Sequence, residues 1–267
     1  MRHVGQAFSA VGLADPRITA GGKQDFRLLR LIASWKRTDP LPTRRQPIPL
    51  AVLSNLAAAA TSCRDRSLAA LMWLGLYFLL RPGEYLYTGP DQHAAFRLND
   101  VFFRYDDGRV YSATASDLPC RAPEAVGLRF TFQKNGIPNE TIYQYRTGDR
   151  YSCPVRAAWH QCHHLRGRVA DDCPLNTYFD EQGVHRRLTP KLMTQLLRLH
   201  ASAYCHPNPV SAACLRCTGA TALLNAKTPL PVIQLIGRWR SDEVFRYLHA
   251  QSTTVAPLSR NILDHAR

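Results

Sequence analysis

The sequence has no long hydrophobic run. Its longest, Leu68 to Leu80, falls short of the roughly 20 apolar residues that cross a bilayer, which excludes a membrane-embedded helix. No apolar segment of secretory type opens the chain, so the eight cysteines are expected as reduced thiols in an intracellular protein, nuclear if the source is eukaryotic. A second metal-ligand half is also missing. Cys214-Leu215-Arg216-Cys217 stands alone, and Cys153, Cys162, His163, His164 and Cys173 do not pair at finger or ribbon spacing. The expected metal is therefore none, with the cysteines packed as small apolar residues. There is no low-complexity tract and no internal repeat. Acidic residues are scarce: 20 Asp and Glu stand against 34 Lys and Arg, a net charge of +14. That excess is well beyond what solubility needs and predicts a polyanionic partner.

The basic residues are mostly arginine, the better phosphate ligand, and they are spread along the chain. Local clusters fall at Lys36-Arg37, Arg44-Arg45, Arg166/Arg168 and Arg186-Arg187, a distribution that suits a clamp around nucleic acid. Lys36, Arg37, Arg44 and Arg45 are the DNA-binding candidates nearest the first boundary. That boundary is Thr38 to Pro49, an extended linker containing four prolines. Residues 1–45 read as a small helical piece plus the start of the linker. In it, Asp25 to Lys36 places Phe26, Leu29, Ile32 and Ala33 on one face. Residues 46–267 are expected to form the main domain, with ample apolar residues for a core.

Within the main domain, Leu50 to Thr61 and Arg64 to Leu80 read as helices, the second apolar nearly all round and therefore central. It delivers Arg81-Pro82-Gly83-Glu84 at its end, with Glu84 placed to orient Arg81. Phe96 to Tyr105 and Arg109 to Thr114 alternate as strands, as do Val126 to Phe132 and Glu140 to Tyr145. The second pair is joined through Asn135-Gly136, a strong hairpin turn, which sets Lys134 near its tip. Helices open at Cys153-Pro154, running through Arg168, and at Thr189-Pro190, running through Ala203. The order is helices, a small antiparallel sheet, then helices: an α+β fold, mostly α.

The stretch from Pro209 to His249 carries the densest chemistry. Two apolar helical segments meet at Thr228-Pro229, and a Gly-Arg-Trp-Arg-Ser turn leads to a short amphipathic segment. Arg216, Arg238, Trp239, Tyr247 and His249 sit at the segment ends. Arginines gathered with one tyrosine in a basic protein point to phosphodiester chemistry.

Arg81 in RPGE, Lys134 in a hairpin, Leu215-Arg216, the Gly-Arg-Trp turn and Tyr247 occur in the order used by the tyrosine recombinase (phage-integrase-like) catalytic domain. The resemblance spans roughly residues 48 to 250. DPRIT…GKQDFRLLR, FTFQKNG, CPVRA and IGRWRSDEVFRYLH resemble more narrowly the recombinases of eukaryotic mobile elements, the DIRS-like and Crypton-like groups. The resemblance makes residues 1–45 the tail of a truncated helical core-binding domain, followed by the DNA breaking-rejoining fold. It implies an enzyme that cleaves and rejoins double-stranded DNA through a 3′-phosphotyrosine, for integration or excision of a mobile element. It implies no cofactor and no small-molecule substrate. Self-association as a tetramer on DNA also follows, with Thr253 to Arg267 as the exchanged or packing segment.

By the same resemblance Tyr247 is the nucleophile, and Arg81 and Arg216 grip the non-bridging oxygens. Lys134 protonates the leaving oxygen. Trp239 matches the His/Trp position of the phosphate pocket, with Arg238 one residue away able to serve instead; Glu84 supports Arg81. One position departs from the family. His-x-x-Arg becomes Ala213-Cys214-Leu215-Arg216, so the imidazole that helps deprotonate the tyrosine is absent, with His249 or His206 as substitutes. A catalytically decayed, DNA-binding relic of the same fold is the alternative. A type IB topoisomerase-like relaxing enzyme would share the chemistry without a partner duplex.

Overall fold

A computed structural model describes residues 2–38, 45–90, 95–131, 139–239 and 244–245. The chain divides into two compact units, Met1–Thr43 and Arg44–Arg267. In the first, helices α1 (Arg2–Ala10) and α2 (Phe26–Thr38) flank a loop in which the Arg17 guanidinium meets the Asp15 carboxylate at 2.6 Å. The apolar face expected on α2 is not enclosed: Phe26 and Leu29 are 67% and 44% exposed. A unit this short has too little apolar surface to close a core of its own.

The second unit is α+β and mostly α. Its elements run α3 (Leu50–Ala59), α4 (Cys63–Tyr77), the single turn α5 (Pro82–Tyr85), β1 (Val101–Arg104), β2 (Val110–Ser112), β3 (Ala125–Phe130) and β4 (Glu140–Tyr145). There follow α6 (Pro154–Leu165), β5 (Thr177–Phe179), β6 (His185–Arg187), α7 (Pro190–Ala201), α8 (Cys214–Asn225) and α9 (Leu230–Gly237). The four-stranded sheet has the order β2-β1-β3-β4, antiparallel throughout, and β5-β6 form a separate two-stranded hairpin. No helix among the described residues is long and apolar enough to cross a membrane.

Helix α4 is the axis of this unit. Ser62 caps it by accepting the Asp65 N–H at 3.0 Å, and every residue from Ser67 to Leu76 is buried. A helix without a polar face must be covered on all sides, and α3, α6 and α8 pack around it. The α4–α8 crossing is tight enough to need glycine. A Cβ on Gly219 would collide with the Leu76 carbonyl oxygen, a backbone atom that cannot swing away. Gly219→Ala is expected to cost about 1–3 kcal/mol by overpacking, read as a lower denaturant midpoint with an unchanged slope.

The strand expected from Phe96 begins only at Val101. Residues Leu98–Asp100 form a 3-10 turn in which the Asp100 carboxylate accepts the Arg97 N–H at 3.0 Å. Phe96 and Leu98 are buried all the same, because their backbones bond to Glu84, Cys173 and Leu175 instead of to the sheet. The helix opened by Pro154 stops at Leu165, three residues short of expectation, and Gly167 follows in a left-handed conformation (φ 72°). The segment before Cys214 consists of turns, so only the latter part of the first helical stretch expected after Pro209 is helix.

Candidate functional site

The site grows from the way α4 ends. Leu80 N–H returns to the Gly75 carbonyl (2.9 Å), and Leu79 adopts a left-handed backbone (φ 50°) where glycine is the common residue. This turn directs the carbonyls of Phe78 and Leu79 away from α4. A helix C-terminus carries roughly half a negative charge in its unpaired carbonyls and attracts cations. Two arginines from distant sequence positions meet it.

Arg216, in the first turn of α8, donates to the Leu79 carbonyl (2.8 Å) and, through its other terminal nitrogen, to the Gly237 carbonyl (2.6 Å). The Trp239 ring covers its guanidinium at 4.4 Å. Arg238, the left-handed cap of α9 (φ 56°), donates to the carbonyls of Phe78 and Ile236, each at 3.0 Å. Its guanidinium lies over the Phe130 ring at 4.0 Å. The C-termini of α4 and α9 are thus brought together with two buried guanidiniums between them.

Glu84 ties the third arginine in. Its carboxylate accepts from Arg238 (3.0 Å), from the Arg81 guanidinium (3.2 Å) and from the Arg81 backbone N–H (2.6 Å). Pro82 at the first position of α5 presets the turn that folds Glu84 back on Arg81. Burial holds the Arg238 guanidinium below its ordinary pKa; Glu84 and Glu140 oppose that shift and Arg81 adds to it. Among the described residues, Arg81 and Arg238 bond the Glu84 carboxylate, Arg216 bonds carbonyls at the two helix ends, and the Glu140 charge also acts on Arg238. The side chain of Arg81 is 36% exposed while that of Arg238 is 4% exposed, so the cluster is open to solvent at Arg81.

Lys134, Tyr247, His249, Arg44 and the segment Thr253 to Arg267 lie outside the described residues. Lys134 follows four residues after Phe130, whose ring touches Arg238; that is at most about 14 Å of extended chain. Tyr247 follows three residues after Val244, which is buried in one apolar cluster with Leu79, Ala220, Ile233 and Trp239; that is at most about 11 Å. Ala213 sits immediately before α8, half-buried, and makes no side-chain capping bond. His206 is exposed and accepts the Asn208 N–H at 3.4 Å. Lys36 and Arg37 belong to α2, and Arg45 is exposed on the segment entering the second unit. The Arg45 carbonyl accepts the Cys217 thiol at 3.3 Å, and the Ile48 N–H donates to Thr218 at 2.9 Å, so this entering segment is tied to α8.

The backbone groups in the cluster carried no sequence signal: the carbonyls of Phe78, Leu79 and Gly237 take their role from where helices end. Phe130 opens the FTFQKNG motif, but nothing in the sequence aims its ring at Arg238.

No family model matches the chain, and no curated protein sequence does. The structure is similar to that of XerA recombinase, with TM-score 0.47 and 14% identity, over 97% of this chain and 73% of that one. It is also similar to two structures of the Tn1549 transposon integrase in complex with circular intermediate DNA, each with TM-score 0.43. Those two are 13% and 14% identical over 84% and 83% of this chain, which cover 68% and 66% of the integrase chains. At such identities and TM-scores the neighbours' chemistry does not transfer to this chain.

Proposed function

We propose that the chain is a tyrosine recombinase-type enzyme that cleaves and rejoins double-stranded DNA. The observation that carries this is the gathering of Arg81, Arg216 and Arg238 at the ends of α4 and α9, two of them bonded to Glu84, with Arg81 open to solvent. In the proposed reaction the Tyr247 hydroxyl oxygen attacks the scissile phosphorus. The P–Oη bond forms, the bond to the 5′ oxygen breaks, Lys134 gives that oxygen a proton, and the tyrosine proton passes to a base. One phosphoester replaces another, so no nucleotide cofactor is consumed and the step runs in both directions. Arg81 meets the non-bridging oxygens directly. Arg216 and Arg238, locked by carbonyls and covered by aromatic rings, supply a fixed positive field that needs no rearrangement as charge builds. Trp239 keeps Arg216 in place from the other face.

The finer reading follows the sequence resemblance: a mobile-element recombinase of DIRS-like or Crypton-like type, with residues 1–45 as part of a core-binding domain, acting as a tetramer in the nucleus of a eukaryote. A second reading, a DNA-binding protein of this fold that no longer cleaves, is favoured by Ala213 at the family's histidine position. Incubation with nicked duplexes taken from the DNA flanking the gene separates the two. The enzyme forms a protein–DNA adduct stable to denaturation, and Tyr247→Phe forms none while still binding the duplex. Binding without any adduct from the unaltered chain would leave the second reading standing.

A further inference from the structure

A groove of about 440 Å³ lies along α4 and α6, lined by residues outside the arginine cluster. Its origin is legible in the helices. Residues Arg66, Ala69, Ala70 and Trp73 of α4 recur at the spacing of one helical face, and Arg156, Ala157 and His160 do so on α6. Where these faces meet near the end of α3, at Ala57 and Ala60, alanines are too small to fill the space between the helices.

Two features give the groove a chemical preference. Its floor is alanine and its walls include the rings of Trp73 and Trp159, so it takes an apolar body. Its rim carries Arg66, Arg150 and Arg156, all exposed, and no carboxylate among the described residues lines it. The acid next in sequence, Asp149, is engaged by the N–H groups of Tyr151 (2.8 Å) and Ser152 (2.6 Å).

We propose that this groove binds a small amphipathic organic anion, with an aromatic or aliphatic body on the alanines between Trp73 and Trp159 and an acidic group among the three arginines. The volume falls in the range of small-molecule sites. A phosphodiester backbone offers no apolar body to fill it. The chain's own segment from Thr253 to Arg267 carries Arg260 and Arg267 against Asp264 alone and does not match the rim in charge.

The probe is anilinonaphthalene sulfonate, titrated into the full chain by fluorescence and calorimetry. Saturable binding of one dye per chain is expected. Arg66→Glu with Arg156→Glu should weaken it about tenfold or more, the loss of a charge-assisted contact. Ala60→Trp, which fills the groove from a half-buried position at the end of α3, should abolish it while leaving the thermal transition in place. Non-saturable binding, or affinity unchanged in Ala60→Trp, would overturn the proposal. So would displacement of the dye by a duplex oligonucleotide, which would make the groove part of a DNA surface, or by an acidic peptide but no small carboxylate.

Discussion

Replacing Glu84 by alanine is expected to destabilise the second unit by about 3–5 kcal/mol, the cost of breaking a buried ion pair from one side. Glu84 is 6% exposed and holds both Arg81 and Arg238, so its loss leaves Arg238 buried beside Arg81 without the carboxylate that bonds it. The helix ends compensate only in part, because their carbonyls carry partial charges. Against a total stability of about 5–15 kcal/mol for an ordinary domain, this is a large fraction. Denaturant unfolding measures it directly. Glu84→Gln keeps the shape and the bond to the Arg81 N–H and should fall between the two. The double change Glu84→Gln with Arg238→Gln should recover much of the loss, since neither charge is then buried alone. If the double variant is no more stable than the sum of the singles, the cluster is not held together by this pair.

The second large effect is a gain. Ala213→His is expected to raise the rate of covalent adduct formation by about 10²–10⁴, the typical contribution of one general acid–base group. Position 213 precedes Arg216 by three residues at the start of α8, so an imidazole there shares the helix face that delivers Arg216 to the cluster. Ala213 makes no capping bond and is half-buried, which leaves stability little changed. Single-turnover adduct formation on a nicked duplex is the measurement, with Ala213→Gln as the control that adds bulk without a base. An equal rise in both variants would show that packing, not proton transfer, limits the reaction.

How far the sequence reached depended on what kind of information each feature uses. Helix α4 was plain because its apolar residues surround the axis, and β3 and β4 were plain because Asn135-Gly136 marks their turn. The segment at Phe96 misled because two buried apolar residues two apart look the same whether the backbone pairs in a sheet or bonds to Glu84 and Leu175. The β5–β6 hairpin was missed: three residues a side, with His185 and Arg186 exposed, give no alternation to detect. Within the site, Arg81, Glu84, Arg216, Arg238 and Trp239 could be singled out by residue type and order. Their joint anchoring could not. It depends on the left-handed turn at Leu79, a residue without the usual glycine signature, and on the carbonyls that this turn releases.

The proposed reaction is tested most directly by finding which atom carries the DNA. After reaction on a nicked duplex, the denatured adduct would be digested with nuclease and protease, and the modified peptide sequenced by mass spectrometry. The expected product is a nucleotide joined through its 3′ phosphate to Tyr247, in the peptide that follows Trp239. Modification of any other residue, or a 5′ phosphate on the protein, would contradict it.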